Sequence, residues 1–326
     1  MKRMSRRHMV GTVAGAALAL AIAQPAFAAW PDDKPIEVVV GYAAGGGTDV
    51  MARKLFQSVQ KRLGDKAKIV VINKPGAAGE IASAYLTRSA PDGYTIGVVN
   101  LPPFVVVPMI KKAQYSVDDV RFVARVVDDP TVLVVRTDSR FKSLGDLLAA
   151  LREKPGTIAL GHNGTGTNSH LAIRLLAEAA KVAPNEVPYK GTAAQKTDVL
   201  GGHLDVGLIS VGEVPELHGG ATGDMRVLAQ LSDTRSPALP GVPTARESGV
   251  AVVMSSERGV AVPKGVPDAI VQKLEAAIAE SVRDPEFIAA SPGDAPVLAY
   301  LPGAQWQASL AKSMDALRKL ADSLPK

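Results

Sequence analysis

The chain has 326 residues, 47 % of them hydrophobic and 21 % charged, with a formal net charge of +5 and no cysteine. That length supports one large domain or two lobes with separate cores, and the composition excludes a disordered chain. The missing cysteines exclude thiol catalysis, disulfide staples and cysteine-type zinc sites.

In chain order, the first element is an export signal. Lys2, Arg3, Arg6 and Arg7 make a positive start, Met9 to Ala23 is apolar, and Ala26-Phe27-Ala28 supplies the small-x-small pattern for cleavage after Ala28. The apolar run is shorter than the roughly 20 residues a membrane span needs. "SRRHMV" at 5–10 loosely resembles a twin-arginine signal, but Met9 stands where that pattern prefers Phe, and an ordinary positive n-region explains it equally well. Loss of residues 1–28 lowers the net charge from +5 to +1. The basic balance that would argue for nucleic acid or anionic membrane thereby disappears.

The mature chain alternates strands with amphipathic helices. "IEVVVGY" (36–42) reads as a strand, and Met51, Leu55, Val59 and Leu63 carry helical spacing. "KIVVINK" (68–74), "GEIASAYLTRSA" (79–90) and "PDGYTIGVV" (91–99) read as strand, helix and turn into strand. A polar break at Val127 to Pro130 precedes the strand "TVLVVR" (131–136), and Ser143 with Asp146 caps a helix carrying Leu144, Leu147, Leu148 and Leu151. "TIALGHN" (157–163), "SHLAIRLLAEAAK" (169–181), "EVPYKG" (186–191) and "LDVGLIS" (204–210) continue the alternation. "GVAVPKGVP" (259–267) returns to the first lobe, and two helices close the chain, marked by Ile270 to Val282 and by Trp306 to Leu324. This order predicts a parallel sheet covered by helices. Crossings near 127–130 and 252–257 divide the mature chain into a lobe of residues 29–129 plus 256–326 and a lobe of residues 130–255.

Two glycine-rich turns join a strand to a helix. In "GYAAGGGTD" (41–49), Gly45, Gly46 and Gly47 make the turn and Thr48 or Asp49 can cap the helix. In "GHNGTGTNSH" (161–170), Gly164 and Gly166 make it and Thr167 or Asn168 can cap. Helix N-termini expose unpaired N–H groups and the positive end of the dipole, so each turn can hold an oxyanion without a charged side chain. No lysine follows either turn as in a P-loop, and Val50 stands where a dinucleotide motif needs its third glycine, which leaves a carboxylate as the natural anion. Leu208 breaks the nucleophile elbow around Ser210, and His162, His170, His203 and His218 lack metal-ligand spacing. No cofactor and no metal site are expected.

"GYAAGGGTD", "NKPGAAGEIA", "APDGYTI", "GHNGTGTNSHLA", "VPYKG" and "LPGVPTARESG", in this order and spacing, resemble the Bug-type (TctC-like) extracytoplasmic receptors of the tripartite tricarboxylate transporter family. The resemblance extends over nearly the whole mature chain. It implies a two-lobed α/β periplasmic binding protein, of Venus-flytrap, type II-like form, with the ligand enclosed between lobes. It further implies a small carboxylate or related amide as ligand, membrane permease subunits as partners and no stable membrane insertion; a monomer is expected. Carried over by position, the ligand contacts are Gly45, Gly46, Gly47, Thr48, Asp49, Ala77 and Ala78 in one lobe. In the other they are His162, Asn163, Thr165, Gly166, Thr167 and Asn168, then Tyr189 and Asp205.

The chain departs from the family at Ala43, usually proline, at His162, usually serine, and at Glu257, usually aromatic. A ring at position 162 could donate to a carboxylate or stack on an aromatic ligand. Two other functions remain open at this level: a ligand sensor feeding a membrane signalling partner, and an exported hydrolase.

Overall fold

The computed structural model describes residues 30–214, 224–322 and 324; the expected export signal and His218 lie outside the described residues. Strand β1 (Ile36–Val40) enters helix α1 (Gly47–Leu63), and β2 (Ile69–Asn73) leads through "PGAAG" into α2 (Glu80–Arg88). Next come β3 (Thr95–Leu101) and α3 (Pro103–Ile110). β1 pairs in parallel with β2 and β3, and α1 buries Met51, Leu55, Val59 and Leu63, the stripe its spacing predicts. "PFVVVPMI" has strand-like composition. It forms a helix because Pro103 suits a first turn and the packing buries Phe104 to Val107.

The polar break expected at Val127 to Pro130 is instead the middle of one long strand, β4 (Val120–Arg136). Its first part pairs antiparallel with β9 (Ser255–Pro263), from Val120 opposite Pro263 to Pro130 opposite Ser255. Its last part pairs with β7 (Val206–Ser210) and β8 (Met225–Gln230). Asp129 is accommodated because its carboxylate lies 2.9 Å from Arg258 Nη2 and accepts from the Gly212 N–H at 3.0 Å. Pro130, which has no N–H to give, sits where the ladder changes partner.

Between these strands, α4 (Leu144–Glu153) starts on the predicted Ser143–Asp146 capping box. β5 (Ala159–His162), α5 (Asn168–Ala180), β6 (Asn185–Pro188) and α6 (Thr192–Leu200) follow, and β5 lies parallel to both β6 and β7. The chain closes with α7 (Asp268–Ser281), α8 (Pro285–Ala290), β10 (Leu298–Pro302) on β4, and α9 (Gly303–Asp322). The described strands form one curled sheet in the order β2-β1-β3-β9-β4-β7-β5-β6, with β8 and β10 also on β4. The sheet is therefore mixed, where the alternation predicted a parallel one. The mixing comes from β4, which pairs antiparallel with β9, β7, β8 and β10.

The buried core follows the same path. One cluster joins Val38, Val40 and Leu55 to Val132 and Val227 across the crossing. A second gathers Leu133, Leu147, Leu151 and Leu171, and a third packs Phe104, Phe122 and Trp306 under α9. Both glycine turns leave the carboxyl ends of parallel strands, β1 and β5, the end at which open α/β sheets take ligands.

Candidate functional site

The first glycine turn is shaped by its own neighbours in sequence and closed by Glu213, 166 residues away. Gly45 has φ +80°, a conformation that favours glycine. Its N–H donates to Asp49 Oδ2 at 2.9 Å, and Asn73 Nδ2 and Arg53 also donate to that carboxylate. Burial raises the Asp49 carboxyl, but Arg53, the Gly45 N–H and Asn73 outweigh it and hold the group below the ordinary aspartate value. Neither Thr48 nor Asp49 caps α1, as the sequence suggested they could. The N-cap is Gly46, with no side-chain bond, and the Gly47 N–H donates to Glu213 Oε1 at 2.7 Å. Thr48 Oγ1 accepts from Asn100 Nδ2 at 3.0 Å.

The "PGAAG" turn stands beside it. Ala77 and Ala78 have φ of +50° and +61°, left-handed conformations that cost an L-residue about 1–2 kcal/mol each. Such strain persists where surrounding structure fixes the backbone, and it concentrates at ligand sites.

The second turn faces the first. Gly164 and Gly166 have φ of +109° and +85°, and a Cβ on Gly164 would lie 3.8 Å from the Ala78 nitrogen. Thr167 is the N-cap residue of α5, and its hydroxyl donates to the Gly164 carbonyl at 2.6 Å. Asn168 Nδ2 donates to the Ser255 carbonyl at 3.1 Å. Asn163 Oδ1 accepts from the buried Gln195 Nε2 at 2.7 Å.

The His162 ring is buried beneath this turn, where Nδ1 accepts from the Gly164 N–H at 3.1 Å. Its ring centroid is 4.8 Å from that of His170, whose Nδ1 accepts from the Gly166 N–H. Burial lowers both rings, and with His162 beside it His170 falls to about 4. Both are neutral acceptors that shape the loop.

The "PGAAG" turn and the second glycine turn line a cavity of about 360 Å3 together with Tyr42, its walls including Ala77, Ala78, Asn163, Gly164 and Thr165, with Lys111, Tyr189 and Lys190 at its sides. Its volume suits a small organic ligand. A narrower recess of about 30 Å3 adjoins it through Tyr42 and Asn163, lined by Gly46, Gly47, Thr48, Asn168, Glu213 and Arg258 among others. Of the residues expected at the site, Gly45 and Asp49 shape the first turn, and His162, Gly166 and Thr167 shape the second. Tyr189 donates its hydroxyl to Asp198 at 2.8 Å, and burial with that carboxylate pushes it up to about 12. Asp205 lines neither space; its Oδ2 accepts from the Ala159 N–H at 2.8 Å, tying two strand starts together.

Sequence reading missed Tyr42, Asn100, Lys111, Lys190, Thr192, Ser210, Glu213 and Arg258. One signal was present: strand alternation places Glu257 and Arg258 on opposite faces. Glu257 accepts from Trp306 Nε1 at 2.5 Å and pairs with Arg125 at 3.4 Å, whereas Arg258 lines the narrow recess. Ser210 Oγ accepts from Arg258 Nη2 at 2.7 Å. Among the described residues, no group of three or more His, Asp or Glu could hold a metal ion, and no helix is long and apolar enough to cross a membrane.

The family model of the tripartite tricarboxylate transporter family receptor matches residues 51–318. The chain is 34 % identical to BugT of Bordetella pertussis over 284 residues, which are 85 % of this chain and 86 % of that one. It superposes on the periplasmic binding protein BugD with a TM-score of 0.80 at 30 % identity, over 88 % of this chain and 96 % of that one. MatC from Rhodopseudomonas palustris, solved with bound malate, gives a TM-score of 0.79 at 26 % identity, over 88 % and 98 % of the two chains.

Proposed function

The chain belongs to the tripartite tricarboxylate transporter receptor family, and from that premise we propose that it captures a small carboxylate between its lobes and presents it to permease subunits in the membrane. The observation that carries this reading is the meeting of the "PGAAG" turn and the second glycine turn across a cavity of about 360 Å3, with the start of α1 in the recess that adjoins it. Backbone N–H groups at helix starts grip a carboxylate through charge and geometry. Charge-assisted hydrogen bonds contribute roughly 1.5–3 kcal/mol each, so three or four hold a small anion after ordering losses. Lys190 at the cavity wall adds attraction, while the Lys111 ammonium is paired with Glu80 at 2.6 Å. Malate bound to the related MatC supports an acid as ligand.

Capture needs no bond to break. The lobes close by bending β4 and β9, and the closed surface is what the permease reads. The mature chain works in the periplasm, released there after cleavage behind Ala28, as a binding protein without catalytic turnover. Native mass spectrometry of the mature protein, followed by calorimetry with the molecule found, tests the reading. A small organic acid of micromolar or tighter affinity is expected; a neutral or cationic molecule, or turnover of the bound molecule, would overturn it.

A further inference from the structure

The narrow recess contains an arrangement that its neighbours do not explain. Arg258 is 3 % exposed, and while Nη2 serves Asp129 and Ser210, Nε and Nη1 meet no acceptor among the described residues. Nη1 lies 3.1 Å from where a Cβ on Gly47 would stand, so a buried cation abuts the positive end of a 17-residue helix. Two positive features placed together in a dry site call for an anion. The anion there belongs to the protein: Glu213 Oε1 accepts from the Gly47 N–H and from the Thr192 hydroxyl.

We infer that Gly47 N–H, the Thr192 hydroxyl and the Arg258 guanidinium form a carboxylate pocket, filled by Glu213 in the conformation described and by the ligand's carboxylate in its place when a ligand binds. This rests on the receptor reading and sharpens it, because it selects acids over amides. Glu213 comes from the second lobe and Gly47 from the first, so opening the lobes breaks this bond. The Glu213 carboxylate then keeps a partner on its own turn, since Oε2 accepts from the Ser210 N–H at 3.0 Å. Exchange of one carboxylate for another leaves the charge around Arg258 unchanged. A neutral amide would displace a negative charge and leave Arg258, whose Nη2 is paired with Asp129, with Nη1 facing the start of α1 and no anion between them. Glu213 thus acts as a tethered competitor that only an anion can replace without loss.

Acetate and acetamide are the probes, with melting temperature as the readout. In Glu213→Ala, acetate should raise the melting temperature saturably, with half-saturation at a concentration at least tenfold below any wild-type response; acetamide and chloride should have no such effect. An equal acetate response in both proteins, or acetamide as effective as acetate, would overturn the inference. Should the alanine variant not fold, Glu213→Gln, which keeps the shape and removes the charge, must show the same order. Arg258→Lys combined with Glu213→Ala should weaken the acetate response at least fivefold, and an unchanged response would remove Arg258 from the pocket. Acetate rescue alongside a non-acid native ligand would sink the receptor reading alone; a native acid without acetate rescue would sink only this pocket.

Discussion

Adding one methyl group at Gly47 isolates closure from folding. Gly47 is the first residue of α1 and has no left-handed φ, so alanine suits its backbone and, as the better helix former, leaves the lobe's stability unharmed. The new Cβ would lie 3.0 Å from Glu213 Cγ and Cδ and 3.1 Å from Arg258 Nη1, so Glu213 must give by a few tenths of an ångström, which weakens its bond to the Gly47 N–H. That charge-assisted bond is worth roughly 1.5–3 kcal/mol. At about 1.4 kcal/mol per factor of ten, complete loss of that bond shifts the closing equilibrium roughly 10- to 150-fold, and Gly47→Ala shifts it toward the open form by up to that much. Because the chain has no cysteine, cysteines placed at the exposed Asp65 and Glu153 give a clean spin-label pair, one in each lobe. Pulsed electron resonance should show a longer, broader distance distribution in the variant, with the melting temperature within about 2 °C of the parent. Gly45→Ala is the control: its φ of +80° strains any side chain, yet nothing lies within 4 Å of the added carbon. It should lower stability by about 1 kcal/mol and leave the distance unchanged. A parental distribution in Gly47→Ala, or an equal shift in Gly45→Ala, would show that the Glu213 bond does not hold the lobes closed.

Four further outcomes are expected. Asp49→Ala removes the acceptor for Gly45, Arg53 and Asn73 and should lower unfolding free energy by about 2–3 kcal/mol in a denaturant titration at pH 7; because the folded carboxyl sits below its unfolded value, the loss should shrink as pH falls through that range. Burial, only partly offset by Arg258 and the Gly212 N–H, pushes Asp129 up to about 7, so the folded protein holds an extra proton between about pH 4 and 7 and this group lowers stability as pH rises there; in Asp129→Asn that slope should vanish from the melting-temperature profile. His170 works the other way: with its folded value at about 4, it contributes stability that is lost as pH falls from 6.5 toward 4, and His170→Asn should flatten that limb. His162→Ser removes the acceptor for the Gly164 N–H and leaves a void beside His170; we expect a loss of about 2–3 kcal/mol with the order of ligand affinities preserved, and a changed order at unchanged stability would return the ring to the ligand.

The alternation of strands and amphipathic helices was legible because apolar spacing reports burial directly, as in Met51, Leu55 and Val59 of α1. The long strand β4 was not. Asp128, Asp129 and Pro130 look like a break until Arg258, more than a hundred residues later, supplies the charge that Asp129 needs. The glycine turns announced themselves, since Gly45, Gly164 and Gly166 do adopt left-handed conformations. What closes them was invisible: Glu213 reaches the first turn from 166 residues away, and no local pattern marks it as the partner of a helix start. His162 was visible as a departure, but only packing reveals that its ring supports the loop from below.

In the receptor proposed here, both glycine turns and the "PGAAG" turn close on one carboxylate. Amide hydrogen exchange on the mature protein, with and without the acid carried through native purification, measures this directly. Slowed exchange is expected in residues 45–50, 76–80 and 163–168 together, over the same range of ligand concentration. Protection confined to one turn, or falling elsewhere on the chain, would contradict it.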